Sequence, residues 1–149
     1  MMNMVQNMYP RLILHTDGGS RNRKIRYAAA ASVITDGEQV IREATWYLGS
    51  LTNNQAEYTA LVRGMEIAAE IGCIELICIS DSQLMVRQMA GDYRVKSPQL
   101  CLLYLQAKKL ELRFHQVIFA HVSRDHPFIQ HADKLLNNVL DEYLGKKML

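Results

Sequence analysis

The sequence predicts an α/β protein with a five-stranded mixed sheet flanked by helices, and three observations predict this class. Short apolar or alternating runs joined by tight turns open the chain, which is typical of an antiparallel meander. The apolar residues then change to helical spacing. After that change, short apolar runs alternate with helical segments, which indicates strands that return through helices. Such a sheet gathers the ends of its central strands at one edge, where we expect a functional cleft.

The elements are predicted in the order β-β-β-α-β-α-α-β-α. The predicted strands cover residues 12–16, 28–34, 39–47, 75–80 and 116–122. The predicted helices cover residues 54–71, 82–89, 98–112 and 130–144. Asp36-Gly37 indicates a hairpin turn between the second and third strands. Gly72 is expected to end the first helix, and Pro98 suits the first turn of the third.

The length and composition favour one globular domain. The chain has 149 residues, of which 49% are hydrophobic and 21% are charged. We expect a flexible lead-in over residues 1–10, which lacks the apolar region of a signal peptide, and a single domain over residues 11–145. No apolar run approaches the length needed to span a membrane. A cytoplasmic monomer with no obligate protein partner is therefore expected.

The net charge of +2 does not by itself argue for a nucleic-acid partner, but its distribution is uneven. The cationic residues form two groups, one of Arg21, Arg23, Lys24 and Arg26, the other of Arg94 and Lys96. A charged run is as often only a solvated loop. The first group directly follows a candidate catalytic aspartate, which favours phosphate binding that would weaken with salt.

Four acidic residues stand at predicted element boundaries. Asp17 is expected to end the first strand and Asp81 the fourth, while Glu57 falls in the first turn of the long helix and Asp133 opens the last helix. Each of them alone has an ordinary structural explanation as a helix cap or a residue that offsets the helix dipole. Four carboxylates in one cleft would repel one another, so their convergence would require cations.

Oxygen ligands of this kind select hard cations such as Mg²⁺ or Mn²⁺. Cys73, Cys78 and Cys101 have no metal-ligand spacing and are expected to be reduced core residues, so zinc is not favoured. Two cations about 3.5–4 Å apart suit phosphodiester cleavage, because one activates the attacking water and the other stabilises the leaving oxygen. No covalent nucleophile is then needed.

The motifs around the four carboxylates carry a family resemblance. They read Thr16-Asp17-Gly18-Gly19-Ser20-Arg21, Thr52-Asn53-Asn54-Gln55-Ala56-Glu57-Tyr58, Asp81-Ser82-Gln83 and Ala132-Asp133. In this order and spacing the sequence resembles ribonuclease H of type 1 over residues 12–142, nearly the whole chain. The segment at residues 91–96 resembles the short branch of archaeal and some bacterial members, which lacks a long basic protrusion.

The resemblance implies a ribonuclease-H-like fold and an endonuclease that cuts the RNA strand of RNA–DNA hybrids with two Mg²⁺ or Mn²⁺ ions, leaving 5′-phosphate and 3′-hydroxyl ends. It implies that Asp17, Glu57, Asp81 and Asp133 are the catalytic metal ligands. Thr52 would hold a phosphate of the DNA strand. The other residues expected to hold the hybrid or to contact ribose 2′-OH groups are Gly18, Gly19, Ser20, Arg21, Asn53, Asn54 and Gln83.

The chain departs from the family pattern in two places. Asn22 is followed by a basic stretch where many members have an Asn-Pro-Gly turn, which suggests looser geometry offset by phosphate attraction. In the loop before Asp133, His126 or His131 would assist proton transfer or product release, although a lone histidine in a polar loop is more often a surface residue. Arg124 is an equally good candidate for a phosphate contact.

Two other functions remain open at the level of sequence. One is a ribonuclease-H-like domain that binds hybrids or other nucleic acids without cutting them, and the presence of all four carboxylates argues against it. The other is a related metal-dependent nuclease that acts on DNA, and the residues expected to contact the 2′-OH argue against that.

Overall fold

The computed structural model describes residues 8–22 and 25–148. Over those residues, five strands and four helices follow one another in the predicted order. The strands are β1 (Tyr9–Asn22), β2 (Arg26–Thr35), β3 (Val40–Gly49), β4 (Cys73–Ser80) and β5 (Gln116–His121). The helices are α1 (Asn53–Ile71), α2 (Gln83–Met89), α3 (Pro98–Glu111) and α4 (Pro127–Met148). Arg23, Lys24 and residues 1–7 of the expected lead-in lie outside the described residues, whereas Tyr9 and Pro10 belong to β1.

The sheet is mixed, as predicted, with the strand order β3-β2-β1-β4-β5. β1, β2 and β3 form the expected antiparallel meander, while β4 pairs in parallel with β1 and β5 pairs in parallel with β4. The turn between β2 and β3 forms where Asp36-Gly37 predicts it. Asp36 Oδ1 accepts the backbone N–H groups of Glu38 and Gln39, and Gly37 has a φ of 107°.

Two apolar clusters lie on the sheet. α1 contacts β1, β2 and α3, and its cluster includes the fully buried Leu12, Leu61 and Met65. α4 contacts β1, β2 and β3. The cluster beneath α4 consists of Ala29, Ala31, Val33, Ala132, Leu136 and Leu140. β2 is buried along almost its whole length because α1 and α4 both contact it. Small apolar side chains suit a strand that is covered in this way.

β1 is much longer than predicted, and this changes the position of Asp17. Its parallel pairing with β4 ends at His15, opposite Ile79. Its antiparallel pairing with β2 continues to Asn22, so that Asp17 lies opposite Ala31 in the middle of the strand. The expectation that Asp17 ends the first strand is therefore wrong. The hairpin with β2 extends β1 beyond the point where β4 stops.

The starts of two helices also differ from the prediction. α4 begins at Pro127, where the fixed φ of proline suits a first helical position, and Asp133 therefore lies in the second turn rather than at the helix start. α1 begins at Asn53, so Glu57 is its fifth residue and the first turn carries no acidic side chain. Neither carboxylate is a helix cap. No helix in the described ranges combines the length and apolar character needed to cross a bilayer.

Candidate active site

The four acidic residues reach one cleft from four different elements. Asp17 comes from the middle of β1, and Asp81 directly follows β4, next to the point where the two strands separate. Glu57 comes from α1 and Asp133 from α4. All four line the same cavity of about 550 Å³. The sheet therefore supplies two carboxylates, and the two helices that contact β1 supply one each.

Three of the carboxylates lie close enough to share one ion. Single oxygen atoms of Asp17, Glu57 and Asp81 all lie within 4.8 Å of one another. The side chain of Asp133 lies within hydrogen-bonding distance of Asp17, so the fourth carboxylate adjoins this group on the side of α4. Asp17 and Glu57 are 7% and 9% exposed. Asp133 is exposed to solvent.

Burial and the neighbouring negative charges make two of these carboxylates, Asp17 and Glu57, reluctant to ionise. Burial, followed by the charges of Asp81 and Asp133, raises the pKa of Asp17 to about 8. Burial and the charges of Asp17 and Asp81 raise the pKa of Glu57 well above its usual value, although a backbone hydrogen bond from Gly18 opposes the shift. Glu57 Oε2 is buried and has no hydrogen-bond partner in the described part of the chain. Repelling oxygens and one unsatisfied buried oxygen fit a site for hard divalent cations.

Glycine at position 18 allows β1 and α1 to meet at this site. A β-carbon on Gly18 would lie 2.3 Å from the carbonyl carbon of Ala56 and 2.4 Å from the backbone nitrogen of Glu57. Two residues further along β1, the backbone N–H of Ser20 donates to Asn53 Oδ1 over 2.6 Å. These contacts hold the first turns of α1 against β1 and thereby place Glu57 beside Asp17.

Known proteins share this arrangement over most of the chain. The model of the family described as "Reverse transcriptase-like" matches residues 15–139. The bifunctional protein Rv2228c of Mycobacterium tuberculosis is 36% identical over 132 residues, which cover 88% of this chain and 36% of that protein. Its N-terminal ribonuclease H domain, solved as a fusion with maltose-binding protein, has a TM-score of 0.84 at 33% identity and covers 92% of this chain and 98% of that chain. Ribonuclease HI of Halobacterium salinarum is 31% identical over 132 residues, covering 89% of this chain and 65% of that protein.

The chain thus spans about a third of the mycobacterial relative and about two thirds of the halobacterial one. A further relative is matched over its whole structure. LC11 ribonuclease H1, isolated from compost and solved in complex with an RNA/DNA hybrid, is 34% identical, covers 89% of this chain and 99% of that chain, and has a TM-score of 0.82. The chain belongs to the ribonuclease H type 1 family. Its mixed five-stranded sheet and helices form the ribonuclease H fold.

Most of the substrate-binding residues that the ribonuclease H motifs suggest line the cleft, and two do not. Those in the cleft lining are Gly18, Gly19, Ser20, Arg21, Asn53, Asn54 and Arg124. Thr52 instead caps α1, since its Oγ1 accepts the N–H of Gln55 while Gln55 Oε1 accepts the N–H of Thr52. Gln83 is exposed at the first position of α2 and is not part of the lining.

The two arginines of the ribonuclease H cleft already have carboxylate partners. Arg124 Nε lies 3.3 Å from Asp81 Oδ2, and the arginine side chain is 88% exposed. Arg21 Nη1 lies 2.7 Å from Asp141 Oδ1, and this arginine side chain is 34% exposed. Arg124 thus lies directly over one of the clustered carboxylates, whereas Arg21 is directed toward α4.

The two candidate histidines lie away from the lining of the cleft. His126 Nδ1 accepts the N–H of Phe128 at the start of α4, and its ring centroid lies 5.3 Å from that of His15. His131 Nε2 lies 2.7 Å from Glu43 Oε2 and so connects α4 to β3. Burial lowers the pKa of His15 to about 4, and this ring donates from Nδ1 to the carbonyl of Val33 as an uncharged group.

Four residues of the cleft lining were not among the sequence candidates. They are Ser82, Leu136, Asn137 and Leu140. Ser82 caps α2 through its hydroxyl group, which accepts the N–H of Met85. Asn137 was detectable in principle, because residues four apart on a helix lie on the same side and Asn137 follows Asp133 by four.

Proposed function

We propose that this ribonuclease H hydrolyses the RNA strand of RNA–DNA hybrids as an endonuclease and leaves 5′-phosphate and 3′-hydroxyl ends. The convergence of Asp17, Glu57 and Asp81 within 4.8 Å, with Asp133 adjoining them, carries this proposal. The relative LC11 ribonuclease H1 was solved with an RNA/DNA hybrid, which supports the same class of substrate here. The mycobacterial and halobacterial relatives are longer proteins, so the proposal concerns the activity of this domain.

Asp17, Glu57, Asp81 and Asp133 would hold two Mg²⁺ ions, with Mn²⁺ as a substitute. The bound ions would lower the pKa of the attacking water and offset the charge that develops on the phosphodiester. The chain's own contribution is to hold four oxygen donors at one edge of a rigid sheet. The backbone N–H of Gly18 donates to Glu57, and burial restricts Asp17 and Glu57, so two of the ligands are fixed before any ion binds.

Polar groups around the carboxylates would hold the hybrid. Asn53 Oδ1 is engaged by the N–H of Ser20, so the amide group of Asn53 remains available to donate to a ribose or base-edge oxygen. Asn54 lies next to it in the cleft, and Gln83 extends the polar surface on α2. Contacts of this type recognise the 2′-OH and hence distinguish RNA from DNA. Thr52 would add a phosphate contact at the start of α1.

Arg124 is better placed than His126 or His131 for a contact with the scissile phosphate. It lines the cleft and pairs with Asp81, whereas His126 lies outside the lining and caps α4. A guanidinium group that faces a carboxylate can exchange that partner for a phosphate, since each offers a pair of acceptor oxygens that can receive two parallel N–H bonds. His126 would then act only by supporting the loop that carries Arg124.

The test is cleavage of a labelled RNA–DNA hybrid by the purified chain with Mg²⁺, with Mn²⁺ and with a chelator. We expect cleavage with either ion and none with the chelator, and Asp17→Asn should abolish cleavage. DNA–DNA and RNA–RNA duplexes of the same sequence serve as substrate controls. Binding of the hybrid without turnover would instead indicate a non-catalytic domain, and cleavage of the DNA duplex would indicate a DNA nuclease.

The proposed function also leads to proposals about oligomeric state and cellular location. One chain supplies all four carboxylates and the polar residues around them, so we propose that the monomer is the active unit and needs no protein partner. We further propose that it acts in the cytoplasm. Light scattering during the cleavage assay would test the first point, and localisation of the tagged protein would test the second.

A further inference from the structure

Asp133 differs from the other three carboxylates in how it is held. Asp17 and Glu57 are 7% and 9% exposed, and the side chain of Asp81 is 12% exposed. Asp133 lies on the exposed surface of α4. Packing therefore restricts the rotamers of the first three side chains, while that of Asp133 must be fixed by specific hydrogen bonds.

Asn137, one helical turn further along α4, supplies such bonds. Its Nδ2 donates to Asp133 Oδ1 over 3.2 Å and to the backbone carbonyl of Asp133 over 2.9 Å. Its Oδ1 accepts from Arg21 Nη2 over 3.0 Å. A guanidinium group can only donate, so it requires the amide oxygen of Asn137 to face Arg21 and the amide nitrogen to face Asp133.

Arg21 is itself held in place for this role. Its Nη1 lies 2.7 Å from Asp141 Oδ1, and its Nη2 also approaches the backbone carbonyl of Asn137 to 3.5 Å. The arginine belongs to β1, whereas both of its partners belong to α4. The chain of contacts from Asp141 through Arg21 and Asn137 to Asp133 thus ties the exposed carboxylate to the sheet that carries Asp17.

We propose that Asn137, oriented by Arg21, is a positioning residue that holds the Asp133 carboxylate in the rotamer that binds a divalent cation. The inference rests on the proposed function, because it requires the carboxylates to hold metal. It also gives Arg21 a different role from the substrate contact that the sequence suggests. Hydrogen-bond partners of metal ligands commonly change metal affinity by about 10–100-fold when they are removed.

The first experiment measures Mg²⁺ binding without substrate by titration of ¹⁵N-labelled protein, followed by amide NMR shifts around the cleft. Asn137→Ala should weaken Mg²⁺ binding by about tenfold. Asn138→Ala is the matched control, since Asn138 lies on the same helix, is exposed and makes no side-chain hydrogen bond among the described residues. This control should bind Mg²⁺ as the wild type does. The NMR spectra also show whether each variant is folded.

The second experiment tests the link to Arg21 with a double-mutant cycle. Arg21→Ala should weaken Mg²⁺ binding severalfold in the wild-type background and should have little further effect in the Asn137→Ala background. Additive effects would contradict the link. A residue that only contacts substrate would behave differently, because its loss would raise KM for the hybrid and leave Mg²⁺ affinity unchanged, and that result would overturn the role given to Arg21.

The outcomes separate this inference from the proposed function. If the wild-type protein binds no Mg²⁺ and cuts no hybrid, both the proposed function and the role of Asn137 are contradicted. A wild-type protein that binds Mg²⁺ and cuts the hybrid, with Asn137→Ala binding Mg²⁺ equally well, would overturn only the role of Asn137.

Discussion

The α-carbon of Gly18 lies so close to the backbone of Glu57 that a β-carbon on residue 18 would approach the Glu57 nitrogen to 2.4 Å. The obstructing atoms belong to the backbone of α1 and cannot rotate aside. The same pair shares a hydrogen bond from the Gly18 N–H to the Glu57 carboxylate. The position of a candidate metal ligand is thus coupled to the absence of a side chain on the neighbouring strand.

Gly18→Ala should therefore displace the start of α1 and with it Glu57. We expect a loss of about 1–3 kcal/mol in the free energy of unfolding from overpacking, together with loss of most hybrid cleavage. Gly19→Ala is the matched control, because its β-carbon would lie 3.5 Å from Leu136 Cδ1, an ordinary contact. Urea unfolding of both variants gives the comparison of stability, while cleavage is compared between Gly18→Ala and the wild type, because Gly19 itself lines the cleft. Equal stability of the two variants would show that the close approach of Gly18 to α1 does not restrict residue 18.

The raised pKa of Asp17 predicts that stability without metal falls as pH rises. The pKa of this carboxyl is about 8 in the folded protein and 3.8 when unperturbed, so between these values the folded state holds a proton that the unfolded state has released. The free energy of unfolding should therefore decrease from about pH 6.5 to about pH 8 in chelator, because the opposing contribution of His15, whose pKa is lowered from 6.5 to about 4, is complete below this interval. Melting temperatures measured across that range check the sign, and a rise over the same interval would rule out the account.

Asp17→Asn removes this ionisation and should stabilise the metal-free protein at pH 8. We expect a gain on the order of 2 kcal/mol, since each tenfold change in proton affinity is worth about 1.4 kcal/mol and coupled carboxylates share the effect. Mg²⁺ should raise the melting temperature of the wild type more at pH 8 than at pH 5, and should have little effect on the variant. Stabilisation of the variant by Mg²⁺ to the wild-type extent would place the ion elsewhere.

Thr52 has a structural role that can be separated from the predicted phosphate contact. Its side chain and that of Gln55 form reciprocal hydrogen bonds with the backbone at the start of α1. Thr52→Ala should lower the free energy of unfolding by about 1 kcal/mol, and Thr52→Ser should retain most of it. Urea unfolding measures the cap, while KM for the hybrid measures the phosphate contact. An unchanged KM in Thr52→Ala would limit this residue to capping.

Arg124 and His126 should differ in what their removal affects. The pair of Arg124 with Asp81 is highly exposed at the arginine, so Arg124→Ala should change stability by less than about 1 kcal/mol while reducing hybrid cleavage at least tenfold. His126→Ala removes a cap of α4 and a ring contact with His15, so it should destabilise by about 1 kcal/mol and leave kcat nearly unchanged. Thermal unfolding and steady-state kinetics distinguish the two. The reverse pattern would make His126 the functional residue.

The class, order and most of the extent of the elements could be predicted from local patterns. Helical spacing from Tyr58 to Met65 indicates α1, and the predicted start of this helix is within one residue of the observed start. Gly72 marks the end of α1, and Asp36-Gly37 locates the hairpin. These signals are local because capping, turn geometry and the amphipathic period depend on neighbouring residues. The length of β1 could not be predicted, since strand pairing with β2, and not the sequence of β1 alone, sustains it to Asn22.

The acidic residues and their motifs were evident from the sequence, but their surroundings were not. Nothing in the motif around Arg21 indicates that this side chain turns toward Asp141 and Asn137 on a helix more than 100 residues away. The same holds for His131, whose partner Glu43 lies on β3. Such contacts depend on how α4 crosses the sheet, which is a property of long-range packing.

The sequence alone determined which functional groups this ribonuclease H has, namely four carboxylates, an Asn-rich helix start and a glycine beside the first aspartate. Tertiary structure decided which of these groups are buried, which repel one another strongly enough to shift their pKa values, and which neighbours hold them. The physical reason is that charge repulsion, desolvation and hydrogen-bond geometry depend on distances between residues far apart along the chain, and folding alone sets those distances.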